Sequence, residues 1–172
     1  MWCSRAAAVA LVLLVGACGF RPLFGEINDE TVTAELSTIK IEPIADRVGQ
    51  QLHNELLDRL TPEGRAQIGS YRLRIELREA SQGFAIDKAE FATRSSYRVN
   101  AVYTLYEPYG DKALYTGRLF AVSSYNILRS EYATLIAQQD ARDRAVEQLA
   151  NDIRTGLALY FIKRRDDKAP VP

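Results

Sequence analysis

Between Tyr71 and Arg78 the chain alternates without a break: Tyr71, Leu73, Ile75 and Leu77 are apolar or aromatic, and Arg72, Arg74, Glu76 and Arg78 are charged. Successive side chains of an extended chain point to opposite sides. This segment is therefore a strand with one buried face and one face that meets water or a partner. The same period returns from Thr93 to Glu107. Tyr97, Val99, Ala101, Tyr103 and Leu105 share one side there, and Arg98, Asn100, Val102, Thr104 and Tyr106 share the other. Ala113 to Tyr125 reads as another long strand, with Gly117 inside it as a bulge or a point of close backbone approach. Pro108-Tyr109-Gly110-Asp111 is a turn, and Gly83 to Glu90 is a bent connection between the first two of these strands. Long strands with one apolar face need a second layer to cover it.

Two helices are predicted to supply that layer. Val48, Leu52, Leu56 and Leu60 recur every fourth residue with Leu57 beside them, which is the stripe of an amphipathic helix. Asp46 is placed to cap its start, and Thr61-Pro62-Glu63-Gly64 ends it. From Ser130 to Arg164 a longer stripe of Val146, Leu149, Ala150, Ile153, Leu157, Tyr160 and Phe161 opposes Arg144, Glu147, Gln148, Asp152 and Arg154. Gly156 costs this helix about 1 kcal/mol relative to Ala, a cost that makes sense where another element comes close. Upstream, Ile39 and Ile41 alternate with Thr38, Lys40 and Glu42, so Glu35 to Ile44 reads as a short first strand closed by Pro43. The order β-α-β-β-β-α predicts an α+β two-layer sandwich: a mixed sheet of about four strands with two helices on one face. A helical crossover allows the first two strands to be parallel, and the last three form an antiparallel meander. Residues 34–164 make one domain, and the charged, Pro-ending stretch 165–172 reads as a disordered tail.

The beginning of the chain follows different rules. Arg5 is the one charge among residues 1–17, and Ala6 to Val15 is an unbroken apolar run. That is the charged and apolar layout of a signal peptide, and the run is too short to span a bilayer, which takes ~20 apolar residues. Small residues Gly16 and Ala17 precede Cys18. This pattern resembles a bacterial lipobox, with cleavage between Ala17 and Cys18 and a thioether-linked, acylated Cys18. The other cysteine, Cys3, lies within the removed segment. The mature chain then has a single thiol and no intramolecular disulfide, although export implies a compartment that permits disulfides. Residues 18–33, with Pro22, Gly25 and Asn28 and no period, read as a tether. Gly19 stands where an Asp would favour inner-membrane retention, so the expected location is the periplasmic side of the outer membrane.

A search for catalytic groups returns little. His53 is the one histidine, sits within the first helix, and has no Ser, Cys or Asp around it in a nucleophile pattern. One Cys and one His in the mature chain cannot form a zinc site, and the glycines form no phosphate-cradling loop. Asp166 and Asp167 sit in a charged stretch and read as solvated carboxylates. Without Arg5 the basic residues fall from 22 to 21, against 22 acidic ones, so net charge gives no reason to expect nucleic acid. No enzyme activity, cofactor or metal is expected. The wet strand faces do carry arginine and aromatic residues: Arg72, Arg74, Arg78, Arg98, Arg118, Tyr106 and Tyr125. Guanidinium groups bind phosphate and carboxylate in a planar fork, and tyrosine buries a ring while keeping a polar end. Arg118, Arg98 and Arg74 are the candidates for an anionic lipid head group, with Arg118 foremost because it lies in mid-strand beside Gly117.

These residues carry a family resemblance. Cys18-Gly19-Phe20-Arg21-Pro22-Leu23 resembles the opening of the lipopolysaccharide-assembly lipoproteins of the LptE family. Ser96 to Tyr103, Gly117 to Phe120 with Ser124-Tyr125-Asn126, and Gln138 to Leu157 are similar to that family's strands and closing helix. The resemblance spans essentially the whole mature chain, in element order more than residue by residue. It implies a lipid-anchored partner of the outer-membrane β-barrel LptD that helps the barrel fold, plugs it, and assists delivery of lipopolysaccharide to the outer leaflet. The residues read alone leave open a second possibility, a periplasmic scaffold or ligand-binding lipoprotein with no barrel partner.

Overall fold

The computed structural model describes residues 30–62, 69–84 and 94–167. The segment up to residue 29, with Ala17, Cys18 and most of the expected tether, lies outside the described residues, as do residues 85–93 of the connection after the second strand. The elements in chain order are α1 (Glu30–Ser37), β1 (Ile39–Ile41), α2 (Asp46–Leu60), β2 (Tyr71–Phe84), β3 (Arg94–Tyr106), β4 (Ala113–Asn126) and α3 (Glu131–Asp166). They form a sheet in the order β1-β2-β3-β4. β1 runs parallel to β2, and β2, β3 and β4 form an antiparallel meander. The alternation that marked the strands decides which face is buried. Leu73, Ile75, Tyr97, Val99, Ala101, Tyr103, Leu105 and Ala121 face the helices, in one continuous core with α2 and α3.

Three details differ from the sequence expectations. Of the strand expected over Glu35 to Ile44, Ile39–Ile41 is strand, but its first residues end a helix, α1, so the described residues hold three helices. Val32 and Leu36 lie four residues apart on one helical face, and both are buried. That spacing falls partly in the stretch read as tether, where no helix was expected. The second difference is length. β2 continues to Phe84 and α3 through Asp166, so the first residues read as connection and as tail are regular structure. The third is the start of α2. Asp46 is its first residue, with φ 67°, and Ala45 is the cap position without a side-chain hydrogen bond. Asp46 still places a negative charge in the first turn, where the helix dipole favours it. At α3 the capping is conventional, because Ser130 accepts a hydrogen bond from the Ala133 N–H.

Both unusual glycines serve one side chain. The Tyr103 ring lies against Gly117 of β4, and its hydroxyl reaches Gly156 of α3. A Cβ at Gly117 would stand 2.2 Å from Tyr103 Cζ, and one at Gly156 would stand 2.2 Å from Tyr103 Oη. Strand and helix thus each give up a side chain so that a tyrosine can fill the layer between them. Tyr115 packs edge-on to Tyr103 at 5.9 Å and stacks on Tyr160 at 5.2 Å, and Tyr160 meets Phe161 at 5.3 Å.

Two core tyrosines make stability depend on alkaline pH. Burial is the main cause that raises both the Tyr97 and the Tyr103 phenol well above the ordinary value of 10.0. The hydrogen bond from Tyr97 Oη to Glu79 Oε2, at 2.7 Å, adds to the first, and neighbouring Tyr115 adds to the second. A raised folded-state pKa favours the neutral phenol in the native state. The contribution is therefore complete below about pH 10 and is lost as pH rises above it. Denaturant titrations at about pH 8 and about pH 11 should show a drop that shrinks in Tyr97→Phe. An undiminished drop in that variant would assign the alkaline loss to other groups.

Candidate interaction face

Among the described residues, no helix covers the second face of the sheet. The even-numbered residues of β2, β3 and β4 point there, and its two ends differ. At the β1 end, Glu42 binds two arginines at once. Arg72 Nη1 donates to Glu42 Oε1 at 2.9 Å, and Arg74 Nε donates to Oε2 at 2.8 Å. Both guanidinium groups also lie over the Tyr106 ring, at 5.5 and 5.2 Å. Arg72 Nη2 reaches further, to the Gly110 carbonyl and the Asp111 carboxylate. Glu42 raises the Arg74 guanidinium pKa, first through this hydrogen bond and then through its charge. These cations are already neutralised within the chain.

Toward the middle and far end of the same face the balance reverses. Val102, Phe120 and Val122 are 38%, 56% and 42% exposed, a strip of apolar surface open to solvent. Arg98 lies over the Phe120 ring at 4.1 Å and donates from Nε to Asn100 Oδ1 at 3.3 Å. Arg118 sits opposite Val102 in the register and is exposed. The side chains of Arg118 and Arg78 have no hydrogen bond or ion pair among the described residues. Unneutralised guanidinium groups beside apolar side chains suit a ligand that is both anionic and apolar: phosphate or carboxylate for the cations, hydrocarbon for Phe120 and the valines.

The expected contact residues therefore separate. Arg118 and Arg98 lie on the open, unneutralised part, with Arg98 stacked on a ring, whereas Arg74 belongs to the Glu42 network. Tyr125, expected on the wet face, has odd parity and packs against the core instead. Glu42, Phe120 and Val122 were missed. Glu42 directly follows β1, and only the parallel register Ile41↔Leu73 brings it beside Arg72 and Arg74. Phe120 and Val122 could have been found from strand parity, since they share it with Arg118.

On the helix side, Arg142 lies over the Tyr97 ring at 5.5 Å, and its Nε is 3.9 Å from Glu79 Oε2. That cluster closes one end of the core. His53 Nδ1 is buried without a hydrogen-bond partner among the described residues. Among the described residues, no group of three or more His, Cys, Asp or Glu side chains could hold a metal, and no helix is long and apolar enough to cross a membrane.

Comparison with known proteins places this architecture. The family model described as LptE, lipopolysaccharide-assembly, matches residues 36–157. The chain is 26% identical over 156 residues to Uncharacterized protein RP188 of Rickettsia prowazekii (strain Madrid E), covering 91% of this chain and 96% of that protein. Among solved structures, the minor lipoprotein of Acinetobacter baumannii superimposes with a TM-score of 0.59 at 18% identity, over 70% of this chain and 90% of that one. The rare lipoprotein B of Shewanella oneidensis does so with a TM-score of 0.57 at 11% identity, over 74% of this chain and 98% of that one. At these identities the two structures speak for a shared fold.

Proposed function

The chain belongs to the lipopolysaccharide-assembly LptE family, and from that premise we propose that it is an outer-membrane lipoprotein that assists and plugs the LptD β-barrel and helps deliver lipopolysaccharide to the outer leaflet. In this reading Cys18 is acylated after cleavage behind Ala17 and holds the domain on the periplasmic side. The observation that carries it is the uncovered sheet face. Arg118, Arg78 and Arg98 surround the exposed Phe120, Val102 and Val122, which matches the mixed chemistry of a phosphorylated, acylated lipid. A barrel lumen is polar, and the charged margins of this face suit it. The role is assembly and transport, and no catalytic group takes part.

Partner recovery tests the function. A tagged, full-length chain extracted in detergent should retain a stoichiometric large barrel protein. Consistent failure to retain one would favour the scaffold reading, in which depletion also leaves lipopolysaccharide at the cell surface rather than accumulating inside. The lipid contact has its own test. Arg118→Glu should weaken binding of purified lipopolysaccharide about tenfold, because one charge-assisted contact becomes a repulsion. The thermal melt should stay unchanged, since Arg118 is exposed and its side chain has no hydrogen bond or ion pair among the described residues. Unchanged binding would remove Arg118 from the contact surface.

A further inference from the structure

The two edges of the sheet are unequal. β1 ends it with three residues, and β4 ends it with 14 residues and, among the described residues, no strand beyond. Which β4 groups face outward follows from the ladder. The Glu42 N–H donates to the Leu73 carbonyl at 2.9 Å, so Leu73 directs its backbone groups toward β1. Backbone groups of neighbouring residues in a strand point to opposite edges. Even-numbered residues of β2 therefore face β3. The registers Arg74↔Thr104 and Tyr103↔Gly117 carry that alternation across the sheet. It leaves Thr116, Arg118, Phe120, Val122 and Ser124 with N–H and C=O directed out of the sheet. The Ser124 carbonyl agrees, because it accepts from Arg144 Nη2 at 3.3 Å. From Thr116 to Val122, among the described residues, nothing hydrogen-bonds these outward groups.

Natural edges are usually kept short or blunted by proline, lysine, or bulges. β4 has no proline, and Arg118 is its one charged residue. A groove of about 530 Å³ lies beside its first residues, lined by Tyr115 of β4 and by Gly156, Leu159 and Tyr160 of α3. Lys163, Arg164 and Asp167 stand along that groove. Arg164 Nη1 donates to the Tyr71 hydroxyl at 2.8 Å, while the Lys163 ammonium has no partner among the described residues. An unpaired edge beside an apolar slot is how strand-adding domains recognise extended peptides: the backbone supplies affinity and the slot supplies specificity.

We propose that the β4 edge and this groove dock an extended segment of the barrel partner, an inference that rests on the function proposed above. The segment pairs with Thr116 to Val122, places an apolar side chain between Tyr115 and Leu159, and sets a carboxylate against Lys163. Two cations against the single Asp167 favour an acidic segment. Self-association fits less well, because antiparallel pairing of two copies about the middle of β4 makes the two Arg118 side chains cross-strand neighbours of like charge.

The test compares barrel recovery by the tagged full-length chain and two variants. Thr116→Pro removes an outward N–H at an edge position, where proline is tolerated. Leu159→Glu combined with Lys163→Glu reverses the groove's chemistry at exposed positions and keeps the decision open if the proline variant melts early. Folded Thr116→Pro should recover at least tenfold less barrel, and the groove variant several-fold less. Wild-type recovery by both folded variants, or by the groove variant when the proline variant is unfolded, overturns the docking site and leaves the barrel partnership standing. A wild-type dimer that Thr116→Pro makes monomeric also overturns it, in favour of a second copy. Absence of any barrel with the wild-type chain sinks the partnership and the site together.

Discussion

Gly156→Ala should destabilise the domain by about 1–3 kcal/mol, and Tyr103→Phe should remove most of that penalty. At an ordinary helical position this substitution gains up to ~1 kcal/mol. Here the added methyl would stand 2.2 Å from Tyr103 Oη, with Tyr103 Cζ at 3.4 Å. The conflict is with one oxygen, which phenylalanine lacks. In the Tyr103→Phe background Gly156→Ala should therefore become neutral or slightly stabilising. Gly117→Ala behaves differently. Its methyl would stand 2.2 Å from Tyr103 Cζ and 2.4 Å from both Cε1 and Oη. The ring itself is in the way, and Tyr103 is 2% exposed. Gly117→Ala should lower stability by about 3 kcal/mol, and Tyr103→Phe should restore little of it. Denaturant unfolding of the three single and two double variants gives the coupling energies directly. Equal rescue of both glycine variants by Tyr103→Phe would contradict the geometry.

Cys18→Ser should abolish membrane attachment. Each buried acyl methylene contributes ~0.8 kcal/mol, so several chains on one residue hold almost irreversibly and their loss leaves nothing of comparable strength. The wild-type chain should partition with membranes, carry the mass of its acyl groups, and show no free thiol, since Cys3 is removed with the leader. The serine variant should remain in the soluble fraction, with its domain folded. A titratable thiol on the mature wild-type chain, or a serine variant that still pellets with membranes, would refute lipidation at this position.

How far the fold could be read ahead of the structure depended on periodicity. The alternation at Tyr71 to Arg78 and at Tyr97 to Leu105 assigned core and open faces correctly, because a strand's side chains obey a period that no neighbour alters. The Val146 to Phe161 stripe did the same for α3. Short elements escaped. Val32 and Leu36 are one pair on a single face, and one pair is too little to outweigh a loop-like composition; burial against α2 and α3 makes α1 a helix. Of the two expectations for Gly117, a bulge or a close approach, the structure has the close approach, as it does at Gly156, and the partner, Tyr103, was not foreseeable. It takes the β3–β4 register and the packing of α3 to bring three residues from three elements to one place.

The candidate face divides in the same way. Which arginines lie on the open side was legible from parity, since Arg74, Arg98 and Arg118 all alternate with apolar neighbours. Which of them have charge to spare was not. Arg74 and Arg118 look equivalent along the chain, yet one is held by Glu42 and the other has no partner among the described residues. Glu42 reaches Arg74 only through the parallel pairing of β1 with β2, a contact between residues more than 30 positions apart. Local pattern is set by the geometry of one strand or helix and is written into consecutive residues. Pairing of charges, the slot for Tyr103 and the open edge of β4 depend on distances between elements, which exist only once the layers have packed.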